Sequence, residues 1–315
     1  MGTKLHKNGK LLLTGEYAVL DGALALAIPT RLGQDFHIEY LENSENLFWS
    51  ALDHTGEPWF EAQFNLESSR VLQTSDKDLA LALLKVLNAA VALNPDFIPM
   101  SFGARIESRL NFPRQWGLGS SSTLIAAVAQ WSKTDPFSLS RMSFGGSGYD
   151  VAAANMTQPF TYKIDHDAPQ IKPVRLNWPF QDQLYFIYRN QKQNSRASIA
   201  HYRNKTPNAG FAEDISGLTH AMIQTREATE FANLMQQHEQ LIAKTLGLTP
   251  IKEELFKDFP GAIKSLGGWG GDFIMALYRE VADESDTAQK AQKAYEYFSQ
   301  KGFQTVIPHR EMILS

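Results

Sequence analysis

The segment 116–128 reads WGLGSSSTLIAAV, with two glycines and three serines directly before an apolar run. Free backbone N–H groups at the start of a helix lie at the positive end of its dipole and bind anions. Glycines at 117 and 119 would let the backbone approach a phosphate, and serine hydroxyls can donate hydrogen bonds to it or ligate Mg²⁺. The same pattern also fits an ordinary helix with a serine cap. The segment by itself leaves both interpretations open.

Two other glycine-rich segments carry residues that could do chemistry. The segment 145–154, GGSGYDVAAA, is a glycine–serine turn followed by Asp150, which fits either a general base or a turn residue. The segment 264–277, KSLGGWGGDFIMAL, has four glycines within residues 267–271, directly before a predicted strand. Because so many glycines cost backbone entropy, this pattern favours a close approach by another group over a free hairpin.

Composition and motif searches exclude several classes of protein. The 315 residues include no cysteine, which excludes disulfides, thiolate metal sites and a cysteine nucleophile. A net charge of -4 argues against a nucleic-acid partner, and the eight histidines show no metal-ligand spacing. No Walker A loop occurs, and Ser122 stands where a Rossmann fingerprint needs its third glycine. Since the N-terminal segment is interrupted by acidic residues, we predict no signal peptide, no membrane partner and a cytoplasmic location.

The elements that would position these segments form a mixture of strands and helices. Short apolar or alternating runs predict strands at 11–14, 23–29, 35–41, 59–65, 102–110, 183–189, 272–278 and 303–309. Longer periodic runs predict helices at 79–93, from Ser122 onward, at 211–246 and in a segment ending at Gly302. Because strands and helices do not alternate strictly, the pattern predicts an α+β fold. The proline-punctuated segment 172–180 predicts a domain boundary nearby.

Taken together in their order along the chain, these motifs resemble those of the GHMP kinases. The segment 8–22, NGKLLLTGEYAVLDG, resembles the opening P-G-K motif of the family, with Asn8 in place of proline. The segment 113–122, PRQWGLGSSS, resembles the loop P-x-x-x-G-L-G-S-S-A, with Ser122 in place of alanine. The glycines at 267–271 resemble the third motif, interrupted by Trp269, and 188–196 resembles a segment with basic substrate contacts.

The resemblance implies a two-domain α+β fold and phosphoryl transfer from ATP with Mg²⁺. It implies an N-terminal domain like ribosomal protein S5 at 1–170 and a ferredoxin-like α/β-sandwich domain at 171–315. It implies catalytic roles for Lys10 and Asp150, and a metal-ligand role for Ser121. The implied phosphate-binding residues are Gly117, Leu118, Gly119, Ser120 and Ser121. The implied substrate-binding residues are Glu16, Tyr17, Ser147, Lys192, Arg196, Gly268, Gly270 and Asp272.

The substrate implied by the resemblance is a small molecule of isoprenoid synthesis. Trp116, Tyr17 and Asp272 favour phosphomevalonate, and the absence of a glutamate between Thr123 and Asp150 disfavours mevalonate, which is the second expectation. The departures at Asn8, Ser122 and Trp269, together with the absence of that glutamate, leave open a non-catalytic ligand-binding protein of the same fold. We expect a monomer or a homodimer.

Overall fold

The computed structural model describes residues 2–42, 44–97, 102–166, 168–191, 195–205, 207–269, 272–279 and 287–314. The strands in these residues are β1 (Gly2–Thr14), β2 (Ala25–Glu42), β3 (Asn46–Leu52), β4 (Pro58–Asn65), β5 (Arg70–Thr74), β6 (Phe102–Leu110), β7 (Phe160–Asp165), β8 (Ala168–Pro173), β9 (Leu184–Tyr188), β10 (Gly261–Ser265), β11 (Phe273–Tyr278) and β12 (Val306–Pro308). The helices are α1 (Lys77–Leu93), α2 (Ser120–Ser132), α3 (Pro136–Ser143), α4 (Tyr149–Asn155), α5 (Ser195–Arg203), α6 (Phe211–Gln224), α7 (Ala228–Leu246), α8 (Ile251–Leu255), α9 (Thr287–Gln300) and α10 (His309–Met312).

The chain forms two compact units, and both are discontinuous in sequence. Unit 1 consists of Met1–Lys10, Leu32–Arg114 and Leu118–Met156. Unit 2 consists of Leu11–Arg31, Gln115–Gly117 and Thr157–Ser315. The sequence analysis placed a single domain boundary between residues 170 and 171. These contact-based units do not test that boundary, which stays a prediction. The architecture is α+β with two sheets, as predicted.

Unit 1 is a sheet covered by helices. Its strands lie in the order β5, β4, β3, β6 and the second half of β2, all antiparallel except the parallel pair β3–β6. The core between this sheet and helices α1 and α2 includes Trp49, Phe64, Leu87, Ile106 and Val128. Burial of these apolar side chains stabilises the unit by the hydrophobic effect, at about 25 cal/mol per Å². Helix α2 is therefore anchored by the packing of its apolar side chains in this core.

Unit 2 contains the antiparallel sheet β10–β11–β9–β12, and the first half of β2 pairs with β7 in the same unit. Phe256, Phe298 and Ile274 lie in one of its cores. A second apolar cluster contains Tyr17 and Trp269. The first cluster includes Ile187 of β9 and Ile263 of β10, and the second includes Tyr17, one of the predicted site residues.

The structure confirms most predicted elements and corrects two of them. The predicted strands at 23–29 and 35–41 are one strand, β2, because Gly33 inside it is bound through its N–H and C=O by Asn111. The predicted helix at 211–246 is two helices, because the Thr225 hydroxyl accepts from the Glu227 N–H and donates to Glu230 in the break. The segment 267–271 connects the antiparallel strands β10 and β11, and in its described part another group does approach the backbone, since the Trp269 N–H donates to the Tyr17 hydroxyl.

Helix α1 begins two residues before its predicted start, because the Asp76 side chain accepts hydrogen bonds from the N–H groups of Asp78 and Leu79. Strands β3, β5, β7, β8 and β10 were not predicted. Among the described residues, no helix is both long enough and apolar enough to cross a membrane.

Candidate active site

The first turn of α2 leaves backbone donors without partners. Gly119 precedes the helix in the left-handed conformation, with φ 94° and ψ 37°, and no side chain caps the helix. The N–H groups of Ser122 and Thr123 both donate to the Gly119 carbonyl. Within the described chain, the N–H groups of Ser120 and Ser121 donate to no other group. Two donors at the positive end of a helix dipole form a site suited to an anion.

Lys10 lies directly against this turn. Its backbone N–H donates to the Leu118 carbonyl at 2.9 Å. Its side chain runs along Gly119 so closely that a Cβ atom there would lie 3.0 Å from the Lys10 Cγ. The Lys10 Nζ is 5.9 Å from the centre of the Tyr149 ring, at the start of α4. A glycine at 119 therefore meets two requirements, a positive φ and room for the lysine stem.

Asp150 is fixed in the first turn of α4 by two hydrogen bonds. The Ser122 Oγ donates to its Oδ2 at 2.7 Å, and the Val151 N–H donates to its Oδ1 at 3.0 Å. Ser122 itself is buried, with only 3% of its surface exposed. Ser122, which stands where the motif resembled by 113–122 has alanine, therefore orients the carboxylate of Asp150.

Asn8, the other departure near this turn, is also explained. Its side chain donates to the Met156 carbonyl at 2.8 Å, and the neighbouring Lys7 donates to Asn155. Both contacts join β1 to the end of α4. Position 8 therefore holds the strand that carries Lys10 against the helix that carries Asp150.

Unit 1 thus brings together the lysine, the helix start and the aspartate that the sequence analysis assigned to phosphoryl transfer. A flexible cation, unpaired N–H donors and an oriented carboxylate can stabilise phosphate charge and position a nucleophile. Leu118 in the same turn is fully buried, whereas Ser121 is exposed and Ser147 half-buried.

Glu16 lies in unit 2 and is sequestered rather than open. Its Oε1 accepts from the Lys264 Nζ at 2.5 Å, and both side chains are fully buried. Burial raises the pKa of Glu16 to about 7, although Lys264 offsets part of the shift. Lys264 binds Oε1, and Oε2 is buried with no hydrogen-bond partner among the described residues. Direct contact of Glu16 with substrate stays a prediction, which its full burial does not favour.

Two more buried titratable groups surround this pair. His238 accepts from the Gly15 N–H through Nε2, and burial holds its pKa well below the usual range, so the ring is neutral. Glu239 accepts from the N–H and the hydroxyl of Ser265 and from the Ile251 N–H, and burial raises its pKa. Lys264 is therefore the cation in direct contact with Glu16, and no local sequence pattern pointed to it.

Tyr17 and Trp269 belong to the same apolar cluster of unit 2 and are joined by a hydrogen bond. Tyr17 stacks on Tyr202, with ring centres 5.4 Å apart, and its hydroxyl accepts from the Trp269 N–H at 2.8 Å. Trp269 is buried in the same cluster, with 5% of its surface exposed. The indole is therefore a packing residue of the third glycine segment.

Asp272 and Trp116 hold the beginning of the glycine–serine loop within unit 2. Trp116 packs on Tyr188 and edge-on against Phe273. The Asp272 carboxylate lies so close to Gly117 that a Cβ there would be 2.3 Å from its Cγ. Gly117 and Asp272 both have positive φ, at 67° and 50°. Asp272 therefore touches the loop itself, a contact that the sequence did not predict.

The remaining predicted substrate contacts are only partly described. Gly268 is half-buried in the hairpin connection. Arg196 belongs to α5, whose backbone is described. Lys192 and Gly270 lie outside the described residues. These four assignments stay predictions.

Sequence comparisons find no relatives of the chain, whereas structural comparisons do. No sequence-family model and no curated protein sequence matches it. Mevalonate kinase from Methanococcus jannaschii matches with a TM-score of 0.71 and 14% identity, over 98% of this chain and 97% of that chain. Phosphomevalonate kinase from Streptococcus pneumoniae, solved with phosphomevalonate and AMPPNP, matches with a TM-score of 0.68 and 15% identity, over 96% and 97%.

A sugar kinase matches equally well. Galactokinase from Lactococcus lactis, solved with galactose, matches with a TM-score of 0.68 and 12% identity, over 100% of this chain and 94% of that chain. At such identities the likeness establishes the fold, and function must be argued from the site. The protein has the two-domain α+β fold of the GHMP kinases.

Proposed function

We propose that this protein is an ATP- and Mg²⁺-dependent small-molecule kinase that phosphorylates phosphomevalonate. The observation that carries the proposal is the arrangement in unit 1, where Lys10 lies along Gly119 at the open start of α2 and Ser122 orients Asp150. Phosphoryl transfer needs positioning and positive charge more than covalent participation by the protein. In this arrangement Lys10 supplies the positive charge, and Asp150 and the start of α2 supply the positioning.

The helix start fits the phosphates of a nucleotide. The unpaired N–H groups of Ser120 and Ser121 would bind phosphate oxygens, and the Ser121 hydroxyl would ligate Mg²⁺. Among the described residues, no cluster of three or more acidic or histidine side chains could hold a metal by itself. A shared site fits, because Mg²⁺ is commonly held by one or two protein groups together with substrate phosphates. Bound ATP with Mg²⁺ supplies the transferable phosphoryl group.

Lys10 and Asp150 take the two remaining roles. The Lys10 ammonium would stabilise negative charge on the transferred group. Asp150, held by Ser122, would orient the attacking oxygen or accept its proton. When the acceptor is a phosphate it is already largely ionised at neutral pH, so Asp150 then acts mainly by position.

Phosphomevalonate ranks first among substrates because of sequence features, with support from one structural neighbour. Trp116, Tyr17 and Asp272 favour it, and a phosphomevalonate kinase bound to phosphomevalonate has the same fold. Lys192, Arg196 and Asp272 are the proposed contacts to the substrate. Mevalonate ranks second, since mevalonate kinases share the fold equally closely.

Three of the four departures that motivated the non-catalytic alternative have a positioning or packing role in the structure. It rested on the departures at Asn8, Ser122 and Trp269 and on the absence of a glutamate between Thr123 and Asp150. Asn8 and Ser122 hold the strand and the aspartate of the proposed site, and Trp269 is a buried packing residue.

The experiment that tests the proposal measures ADP release with four acceptors in parallel: mevalonate, phosphomevalonate, homoserine and galactose. We expect turnover with phosphomevalonate to exceed that with each of the other three. Faster turnover with mevalonate or galactose would reassign the substrate. No turnover with any acceptor, together with no ATP binding, would refute the kinase assignment.

A further inference from the structure

Unit 2 contains a cavity of about 330 Å³ that shares no residue with the proposed kinase site. Its walls come from residues 158 and 159 before β7, from the connection between β8 and β9, and from residues 309 and 313. All of these residues belong to unit 2. The volume lies within the range of small-molecule sites, roughly 300 to 1,000 Å³. The cavity is therefore large enough for a second, separate ligand.

His309 is the most buried polar residue of these walls. Only 5% of its surface is exposed, and its Nε2 has no hydrogen-bond partner among the described residues. The ring packs edge-on against Trp178, with ring centres 6.2 Å apart. Burial, and to a smaller extent the charge of Arg31, lowers the pKa of His309 to about 4, so the ring is neutral at pH 7. A neutral, unpaired imidazole adds unused hydrogen-bonding capacity to the cavity wall.

The formal charge of the cavity walls is positive. Arg175 is exposed at the cavity, and within the described chain no hydrogen bond or ion pair engages its guanidinium. No acidic residue belongs to the walls. Arg31, which acts electrostatically on His309, is held by a hydrogen bond from its Nε to the Arg310 carbonyl at 2.9 Å. Since charges of one sign around a cleft attract ions of the other sign, the cavity favours an anion.

Polar and apolar side chains share the remaining walls. Three carboxamides can donate hydrogen bonds to an anion through their NH₂ groups: Gln158, Asn177 and Gln181. The Asn177 backbone is fixed, because Arg226 donates to its carbonyl at 2.6 Å. The other walls are side chains that offer no hydrogen bond: Pro159, Val174, Leu176 and Ile313. A ligand that fits both sets of walls has a charged head and a hydrocarbon body.

The charge of Arg175 indicates which anion fits. A guanidinium pairs with a carboxylate through two parallel hydrogen bonds. The same geometry suits a phosphate, but a phosphate monoester carries a charge of about −1.5 to −2 at neutral pH. Because Arg175 is the only permanently charged side chain among the lining residues, one negative charge matches the cavity better than two.

We propose that this cavity binds a short-chain aliphatic monocarboxylate, with the carboxylate against Arg175 and the hydrocarbon against Val174, Leu176 and Ile313. His309 lies in the wall of the same site. The site is independent of the kinase function, because it uses none of the residues proposed to bind nucleotide or substrate. It adds a second class of ligand to the protein.

Calorimetric titration of the full-length protein with n-pentanoate tests the proposal. We expect pentanoate to bind, n-pentanol and inorganic phosphate to bind more weakly, and the cation of n-pentylamine not to bind. Arg175→Met should lower the affinity for pentanoate by about tenfold or more, as expected for loss of a charge-assisted hydrogen bond. The matched control is Lys172→Met, since Lys172 is an exposed cation of β8 outside the cavity walls, and this variant should keep nearly the wild-type affinity.

NMR of the histidine rings locates the bound ligand. Pentanoate should shift the ring signals of His309, which are identified by their absence in His309→Phe, and should leave those of the exposed His220 unchanged. Lys10→Met should bind pentanoate as the wild type does, so a failure of the kinase assignment would not affect this site. An absence of pentanoate binding, an unchanged affinity in Arg175→Met, equal binding of pentylamine, or unshifted His309 signals would each overturn the proposal.

Discussion

At the scale of single residues, Ser122 changes how the proposed catalytic turn works. A family-like alanine could not donate a hydrogen bond, whereas the serine holds Asp150 at 2.7 Å. A hydrogen bond to a charged group contributes about 1.5–3 kcal/mol. The departure from the motif thus strengthens the orientation of the carboxylate.

We predict that Ser122→Ala lowers kcat about tenfold, equivalent to roughly 1.4 kcal/mol, and leaves ATP affinity nearly unchanged. Asp150→Ala should lower kcat further. The control is Ser132→Ala, a buried serine of the same helix that bonds to Thr134 and not to Asp150. Steady-state kinetics of the three variants measure this, and an unchanged kcat in Asp150→Ala would remove its assigned role.

The buried pair Glu16–Lys264 makes a second residue-scale prediction. Removing one partner of a buried pair leaves an uncompensated charge, which typically costs about 3–5 kcal/mol. Lys264→Met should therefore lower the free energy of unfolding of unit 2 by about that amount, and adding Glu16→Gln should restore most of it. Denaturant unfolding of the two variants measures the effect. Equal stability of Lys264→Met and the wild type would show that Lys264 is not the counter-charge for Glu16.

At the scale of elements, the start of α2 depends on the conformation of Gly119. Its φ of 94° is costly for other residues, and a Cβ would press on the Lys10 side chain at 3.0 Å. Gly145, in the turn between α3 and α4, also has a positive φ, of 72°, but a Cβ there would meet nothing within 4 Å. The two glycines differ mainly in whether they touch Lys10.

We predict that Gly119→Ala weakens ATP binding by about tenfold, or ~1.4 kcal/mol, because Lys10 must move. Gly145→Ala should carry a similar backbone strain and lower stability, while ATP affinity stays near the wild-type value. Fluorescence titration with a labelled nucleotide measures both. Equal losses of affinity in the two variants would assign the effect to backbone strain and not to Lys10.

The elements also show what sequence patterns can and cannot predict. Strand β6 and helix α1 were predicted because their apolar periodicity is strong. Strands β5 and β8 were missed because both lie at the edges of their sheet and contain no buried side chain, so no alternation marks them. The break between α6 and α7 depends on the Thr225 hydroxyl, a contact that hydrophobic periodicity does not register.

The residues of the candidate site also fall into those that the sequence predicted and those that it did not. Lys10, Asp150 and the glycine–serine loop were found from short local motifs. The partner of Glu16 is Lys264, 248 positions away, and the contact of Asp272 with Gly117 is also long-range. Such contacts arise only when the chain is folded, so no local spacing could indicate them.

At the scale of the whole molecule, stability depends on buried groups that must stay neutral. His309, 5% exposed, packs near Trp178, and its Nε2 has no hydrogen-bond partner among the described residues. Burial, aided by Arg31, lowers its pKa to about 4. A histidine whose folded pKa is lowered stabilises the protein fully above its unfolded pKa, about 6.5, and loses that contribution as the pH falls toward 4.

We predict that the wild type loses roughly 3 kcal/mol relative to His309→Phe between pH 7 and pH 4. The apolar ring keeps the packing and cannot take up a proton. Denaturant unfolding of both proteins across this range measures the difference, and other titrating groups, such as His238, cancel because both proteins contain them. A difference in stability that does not change with pH would contradict the account.

The most direct test of the proposed kinase activity detects the transferred phosphoryl group by ³¹P NMR. Protein incubated with ATP, Mg²⁺ and phosphomevalonate is observed by ³¹P NMR, beside Lys10→Met under the same conditions. We expect the γ-phosphate signal of ATP to be replaced by those of ADP and of a new organic diphosphate, and we expect the variant to react far more slowly. Unchanged ATP signals in the wild type, or release of inorganic phosphate with no diphosphate, would contradict the account.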